Sequence, residues 1–202
     1  MEIVAVVLTG IGKLVFVNYL DLKFWYITIA CIFWIGYVIF KSIHQPAVLA
    51  YWGFTRKNFK RSMRFLTPLA VISVVGFFVY GYTQDTMLFN WHIIPILVIY
   101  PIWGTIQQFL MVGLVAGNMR DLERKNIPLV IIVIVTSIAF SIIHVPSLLL
   151  VLATLLLAIV YTIHYLSARN LWTLGLFHGW LGGLFYFIVL GRDPWVEVFS
   201  RI

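Results

Sequence analysis

The feature that most constrains this chain is a series of continuous apolar runs, most of them about 20 residues long, which is the length a helix needs to cross the hydrocarbon core of a bilayer. A membrane β-barrel shows short segments of alternating polarity instead. The runs predict spans at residues 3–20, 24–40, 65–83, 87–116, 128–145, 147–168 and 171–190. We therefore expect an all-α fold, a polytopic transmembrane helix bundle of about seven spans.

Composition excludes the soluble classes of protein. Of 202 residues, 62% are hydrophobic and 10% are charged, whereas an ordinary soluble domain has about 25% charged residues. So few charged side chains cannot cover a water-soluble particle, which excludes a cytosolic enzyme and a disordered chain. The single cysteine, Cys31, lies in an apolar run and cannot form an intrachain disulfide.

The fourth run, residues 87–116, is too long for one plain crossing and contains Pro95 and Pro101. Proline is tolerated in the first turn of a helix and breaks the hydrogen-bond ladder in its interior. The sequence therefore predicts a short helix or re-entrant piece near residues 91–100, followed by a fresh helix from Pro101.

Basic residues cluster in three predicted loops that share one side of the membrane. They are Lys41, Arg56, Lys57, Lys60, Arg61 and Arg64 after span two, Arg120, Arg124 and Lys125 after span four, and Arg169 after span six. The positive-inside rule makes this side cytoplasmic. We expect a multi-pass protein of the cell membrane with its N-terminus in the cytoplasm and its C-terminus outside.

Residues 46–64 combine aromatic side chains with a basic cluster, a pattern typical of an interfacial helix. Membrane lipids are the expected partners, with headgroups bound by Arg56, Lys57, Lys60, Arg61 and Arg64. The positive-inside bias explains most of the net charge of +7, so we expect no nucleic-acid partner.

Polar side chains within the spans are few, and such residues are functional candidates by default. All seven acidic residues map to span ends or loops, and amides and imidazoles remain inside: Gln107, Gln108, His144 and His178. The alternative role for each is an interhelical hydrogen bond, worth about 0.6–2 kcal/mol.

Spacing places some small and polar residues on common helix faces. Ser137, Phe140, Ser141 and His144 share one face. Two glycine ladders predict close helix packing; they consist of Gly113 and Gly117, and of Gly175, Gly179 and Gly183. Gly182 lies one turn from His178 and leaves open volume beside the imidazole.

Together these residues resemble the CPBP (Abi) membrane proteins, which include the CAAX prenyl endopeptidases. That family carries Glu-Glu-x-x-x-Arg, Phe-x-x-x-His and His-x-x-x-Asn on successive helices. The corresponding places here are Gln107-Gln108-x-x-x-Val112, Phe140-x-x-x-His144 and His178-x-x-x-Gly182. The resemblance covers about half of the chain and divides one integral membrane domain, residues 1–202, into N-terminal helices with the basic segment (1–86), a CPBP-like core (87–190) and a tail (191–202).

The resemblance implies an intramembrane metalloendopeptidase in which a glutamate activates water and histidines bind metal or stabilise the oxyanion. It assigns Gln107, Gln108, His144 and His178 as candidate catalytic positions, His144 and His178 as the metal-ligand positions, and Gly182 as the third-motif position. An amide cannot act as the base, and a lost base costs about 10²–10⁴-fold in rate. Zinc or another divalent ion is implied only for an active member.

Three hypotheses for the function follow. The first is a catalytically impaired CPBP-type protein whose intramembrane cavity binds a peptide or lipid-like chain, acting as a chaperone, immunity or complex-assembly factor. Its partners would be a hydrophobic or lipidated peptide or a membrane-complex subunit. The second is an active metalloendopeptidase using His144 and His178, with His164, His92, Tyr161 or Asp85 as substitute groups. The third is a channel, transporter or small-molecule binder.

Overall fold

The computed structural model describes residues 1–122 and 126–199, and these residues form nine helices and no strand. The helices are α1 (Glu2–Tyr19), α2 (Lys23–His44), α3 (Val48–Trp52), α4 (Phe59–Gln84), α5 (Ile93–Arg120), α6 (Leu129–Ile142), α7 (Leu148–Ala168), α8 (Leu171–Ile188) and α9 (Pro194–Phe199). Arg124 and Lys125 of the basic loops and Arg201 of the tail lie outside the described residues.

Helices α1, α2, α4, α5, α7 and α8 are long and apolar enough to cross a membrane, which confirms an all-α, multi-pass membrane protein. The predicted fifth span is different, because α6 has only 14 residues. At about 1.5 Å per residue it measures about 21 Å, against a hydrocarbon core of about 30 Å. Pro128 and Pro146 bracket it, and the residue before each proline is biased away from helical geometry, which favours a helix boundary there. The orientation in the membrane stays a prediction.

The predicted break at Pro101 is wrong, because α5 runs without interruption through residues 93–120. Pro95 falls in its first turn, where proline is tolerated. Pro101 lacks the N–H that would bond the carbonyl of Leu97, and the indole N–H of Trp180 on α8 donates to that carbonyl at 3.1 Å instead. A side chain from the neighbouring helix thus replaces the backbone donor.

Replacing Trp180 by phenylalanine should destabilise the fold by about 1–3 kcal/mol, because the Leu97 carbonyl would lose its partner in apolar surroundings. The matched test is the same change in a Pro101→Ala background, where the restored backbone N–H bonds Leu97 directly. We expect Trp180→Phe to cost less there, as measured by thermal unfolding in detergent. Equal costs in the two backgrounds would contradict this role for the indole.

The single interfacial helix predicted over residues 46–64 is also wrong. The segment contains the short helix α3, a loop, and the start of α4. Gly53 adopts a φ of +93° and lies so close to α7 that a Cβ would be 2.7 Å from the carbonyl oxygen of Arg169. Trp52 is buried within the bundle. The loop therefore docks on the α7–α8 junction and does not form a free helix.

Asn170, between α7 and α8, holds this loop and begins α8. Its amide nitrogen donates to the carbonyls of Thr55 and Lys57, each at 2.8 Å. Its side-chain oxygen accepts from the backbone N–H of Thr173 at 3.1 Å, which is an N-cap of α8. The residue thereby fixes where α8 starts relative to α4.

The core is centred on α5 and α8, with α4, α6 and α7 packed around them. Helix α5 widens into π-helical turns from Phe109 to Ala116, and every residue of these turns is buried. Such turns are frequent at functional sites. They begin directly after Gln108.

The segment predicted as a tail is bound to the bundle within its described part. The carboxylate of Glu197 on α9 pairs with Lys23 at 2.5 Å and with Arg192 at 2.5 Å. Asp193 accepts hydrogen bonds from His92 at 2.6 Å and from Asn90 at 2.8 Å. Although burial opposes it, these bonds hold the pKa of Asp193 below its ordinary value. Ion pairs therefore close the α5 N-terminal end of the bundle.

Candidate functional site

One pair of polar side chains meets at the centre of the bundle, where α5 packs on α8. The side-chain amide nitrogen of Gln108 lies 2.8 Å from Nδ1 of His178. Gln108 is only 1% exposed, so this hydrogen bond lies in apolar surroundings. When the amide donates, Nδ1 of His178 is the acceptor and its proton sits on Nε2. The pair is a neutral amide–imidazole contact.

Phe140 connects this pair to the second predicted histidine. Its ring centroid lies 5.5 Å from the imidazole of His178 and 5.1 Å from that of His144. His144 follows the end of α6, and its Nδ1 hydrogen bonds to the Phe140 carbonyl at 2.8 Å. Because a carbonyl only accepts, Nδ1 carries the proton and Nε2 keeps a free lone pair. Both imidazoles therefore border one phenyl ring.

Gln107 and Gly182 lie apart from this contact. Within the described chain the Gln107 side chain forms no hydrogen bond, and it is half-buried. A Cβ on Gly182 would be 3.9 Å from the Tyr100 ring, an ordinary contact, so space remains there. The structure brings together Gln108, His178, Phe140 and His144, and it leaves Gln107 outside.

Glycines set the distance between α5 and α8. A Cβ would be 2.3 Å from the Pro101 nitrogen at Gly179, 2.0 Å from the Thr105 hydroxyl oxygen at Gly175 and 3.0 Å from Ile96 at Gly183. Gly104, which the sequence argument did not single out, faces them from α5, since its Cβ would be 2.7 Å from the Gly175 carbonyl oxygen. This close approach lets Gln108 reach His178.

The other glycine ladder has looser surroundings. A Cβ on Gly113 would be 3.1 Å from Phe109 of its own helix, and one on Gly117 would be 3.6 Å from the Val112 carbonyl oxygen. The nearest atoms of other helices would be 3.6 Å away on Leu171 and 3.7 Å away on Tyr165, which are ordinary van der Waals contacts. The two ladders therefore differ, and only the one on α8 faces another helix backbone at closer than van der Waals distance.

Residues 89–183 match the family model described as type II CAAX prenyl endopeptidase Rce1-like. This segment is Rce1-like. It holds Gln108, Phe140, His144 and His178, which are the residues that meet at the site. Searches of the curated proteins and of the solved structures gave no match.

The residues of the Rce1-like segment do not fit a catalytic zinc ion. Such a site takes three protein ligands, most often histidine, cysteine or carboxylate. Across residues 1–122 and 126–199, no group of three such side chains lies close enough to hold a metal. At the site itself, Nδ1 of both histidines is engaged by Gln108 or Phe140, which leaves only Nε2 of each ring. Two imidazoles fall short of the three protein ligands of a catalytic zinc ion.

The side chains named for an active endopeptidase lie in other contacts. His164 bonds the Ser62 hydroxyl at 2.9 Å and stacks on Phe65. His92 bonds Asp193 near α9, and Asp85 ends α4. The Tyr161 hydroxyl is buried without a hydrogen-bond partner among the described residues. None of these contacts includes Gln108 or His178.

The basic cluster predicted to bind headgroups lies before and at the start of α4. Its members are all exposed; they are Arg56, Lys57, Lys60, Arg61 and Arg64. Arg169 is different, because it pairs with Asp121 at 3.0 Å and bonds the backbone of Tyr51. The exposed cations are free to meet anionic headgroups, and lipid binding by them stays a prediction.

Two residues outside the Rce1-like segment reach the site and were missed by sequence reasoning. Lys13 and Asn18 of α1 donate hydrogen bonds to the backbone on either side of His144. The available signal was a lysine inside the first apolar run, where a charge is expensive. That signal indicates a polar partner without naming it.

Proposed function

We propose that this chain is an Rce1-like membrane protein that binds an apolar or lipidated peptide and hydrolyses it poorly. The observation that carries the proposal is the hydrogen bond between Gln108 and His178. In the family it resembles, a glutamate at this motif activates water. An amide has no usable basicity near neutral pH, so it can orient the imidazole without taking a proton from water.

An apolar groove supports the binding part of the proposal. It has a volume of about 290 Å³ and lies between α4, α5 and α8, lined by Ala70, Val74, Leu97, Phe177, Trp180, Leu181 and Leu184. With about 100° between successive residues of a helix, the groove and His178 occupy neighbouring faces of α8. An apolar chain in this groove would bring an attached peptide close to the polar pair.

A protein of this kind would act by holding its ligand within the membrane, as a chaperone, an immunity factor or an assembly subunit. The test uses the full chain in lipid nanodiscs with a fluorescent farnesylated peptide that ends in a CAAX sequence. We expect saturable binding by anisotropy, and no more release of the C-terminal tripeptide than from the His144→Ala/His178→Ala variant. Release that depends on His144 would establish the active endopeptidase instead.

Filling the groove should weaken binding without disturbing the polar pair. Ala70→Trp places an indole in the groove. The matched control is Ile72→Trp on the same helix, because the Ile72 side chain is 69% exposed and does not line the groove. We expect a loss of about tenfold in peptide affinity for Ala70→Trp and little change for Ile72→Trp, since about 1.4 kcal/mol corresponds to tenfold. Equal affinities for the two variants would exclude this groove as the ligand site.

A further inference from the structure

Two side chains of helix α1 form hydrogen bonds with the turn that carries His144, one on each side of the histidine. The ammonium of Lys13 donates to the carbonyl of Ile143 at 2.5 Å, and the side-chain amide of Asn18 donates to the carbonyl of Val145 at 2.8 Å. These are the backbone groups directly before and directly after His144. Partners more than 120 residues apart in sequence therefore meet at one residue of the candidate site.

The hydrogen bond from Lys13 is a specific contact with the turn. Lys13 lies about 16 Å along α1 from Glu2, inside a candidate membrane span. Among the described residues its ammonium forms no ion pair within 4.0 Å, and it bonds the carbonyl at the end of α6. Gly10 strengthens the packing, because a Cβ there would be 3.4 Å from Ile143.

The backbone carbonyls of this turn need hydrogen-bond donors from outside helix α6. The last carbonyls of a helix have no partner within it, and unpaired backbone groups in apolar surroundings cost free energy. Helix α6 ends at Ile142, and the carbonyls of Ile143 and Val145 lie in the turn that follows, where no other backbone N–H among the described residues bonds them. Donors from α1 satisfy both of them and fix the path of the backbone between them.

We propose that Lys13 and Asn18 are positioning residues for His144. By holding both neighbouring carbonyls, they keep the imidazole packed on Phe140 with its Nδ1 proton bound to the Phe140 carbonyl. The role rests on the proposed function, in which His144 belongs to the ligand site. Both residues lie outside the Rce1-like segment, so α1 completes a site that the segment alone does not hold.

The test measures His144 itself, without ligand, so that its outcome is independent of the proposed function. Lys13→Met and Asn18→Leu each remove one donor, and Lys13→Arg keeps the charge and a donor. The control is Lys23→Met, which removes the ion pair with Glu197 and a like charge that acts on Lys13 but keeps both hydrogen bonds to the turn. The readouts are the ¹⁵N shifts of the His144 ring and its rate of modification by diethyl pyrocarbonate.

We expect the modification rate of His144 to rise about tenfold in Lys13→Met and about fivefold in Asn18→Leu, as for the loss of a charged and a neutral hydrogen bond. The ¹⁵N shifts should move toward those of an imidazole whose proton exchanges between Nδ1 and Nε2. With Lys13→Arg, both readouts should stay close to those of the unmodified chain. If Lys13→Met does not fold, Asn18→Leu, at an exposed position, decides the question. Rates and shifts no different from those of Lys23→Met would overturn the proposal.

Discussion

Changing Gln108 to glutamate is expected to raise peptide hydrolysis by about 10²–10⁴-fold over the unmodified chain, the usual contribution of a general base. With the imidazole proton on Nδ1 instead of Nε2, His178 would donate a hydrogen bond to the introduced carboxylate across the present 2.8 Å contact. That hydrogen bond would stabilise a charge that is otherwise costly to bury. The measurement is tripeptide release from the farnesylated CAAX peptide in nanodiscs.

Gln107→Glu is the matched control, because Gln107 lies next in sequence and forms no hydrogen bond with a histidine among the described residues. It should show no comparable gain. A folded Gln108→Glu variant that binds the peptide and releases no tripeptide would show that the amide is not what limits the chemistry. A gain confined to Gln107→Glu would move the base position to the neighbouring residue.

Gly179→Ala should abolish the folded state or cost about 3 kcal/mol or more, because overpacking between rigid groups is not relieved by a rotamer change. The new Cβ would be 2.3 Å from the nitrogen and 2.4 Å from the Cα of Pro101. Both atoms belong to the backbone of α5. To relieve the overlap, α5 and α8 would have to separate, and Gln108 would lose His178.

The same change at Gly182 is the control, since its Cβ would meet only the Tyr100 ring at 3.9 Å. There the higher helix propensity of alanine should balance or exceed any cost, within about 1 kcal/mol. Thermal unfolding in detergent would compare the two variants at equal protein concentration. A Gly179→Ala variant that unfolds at the same temperature as the unmodified chain would contradict the tight α5–α8 contact.

The sequence was sufficient for the parts of the fold that depend on hydrophobic length. Runs of apolar residues predict the multi-pass helical fold. The motif residues Phe140, His144 and His178 indicate a resemblance to the CAAX prenyl endopeptidases, and the family match over residues 89–183 supports it. Polarity inside a bilayer is so expensive that the few polar residues stand out. Contact between Gln108 and His178 follows from that logic only once the helices are packed.

The predictions that failed depend on partners distant in sequence. Pro101 reads as a helix break in isolation, and only the indole of Trp180 explains why α5 continues. The loop after α3 reads as interfacial, and only the backbone around Arg169 shows that it docks on the bundle. In the same way, nothing in α1 reveals that Lys13 faces the carbonyl of Ile143.

The short helix α6 has a consequence for the lipid around the site. Its outer face meets lipid through Ile134, Ile138 and Ile142, each about half exposed. We expect the bilayer to thin beside α6, because local thinning accommodates a hydrophobic segment shorter than the hydrocarbon core. Thinning there would bring headgroups and their hydration toward the turn at His144. The membrane itself, deformed by one short helix, would supply water to a buried imidazole without any pore through the protein.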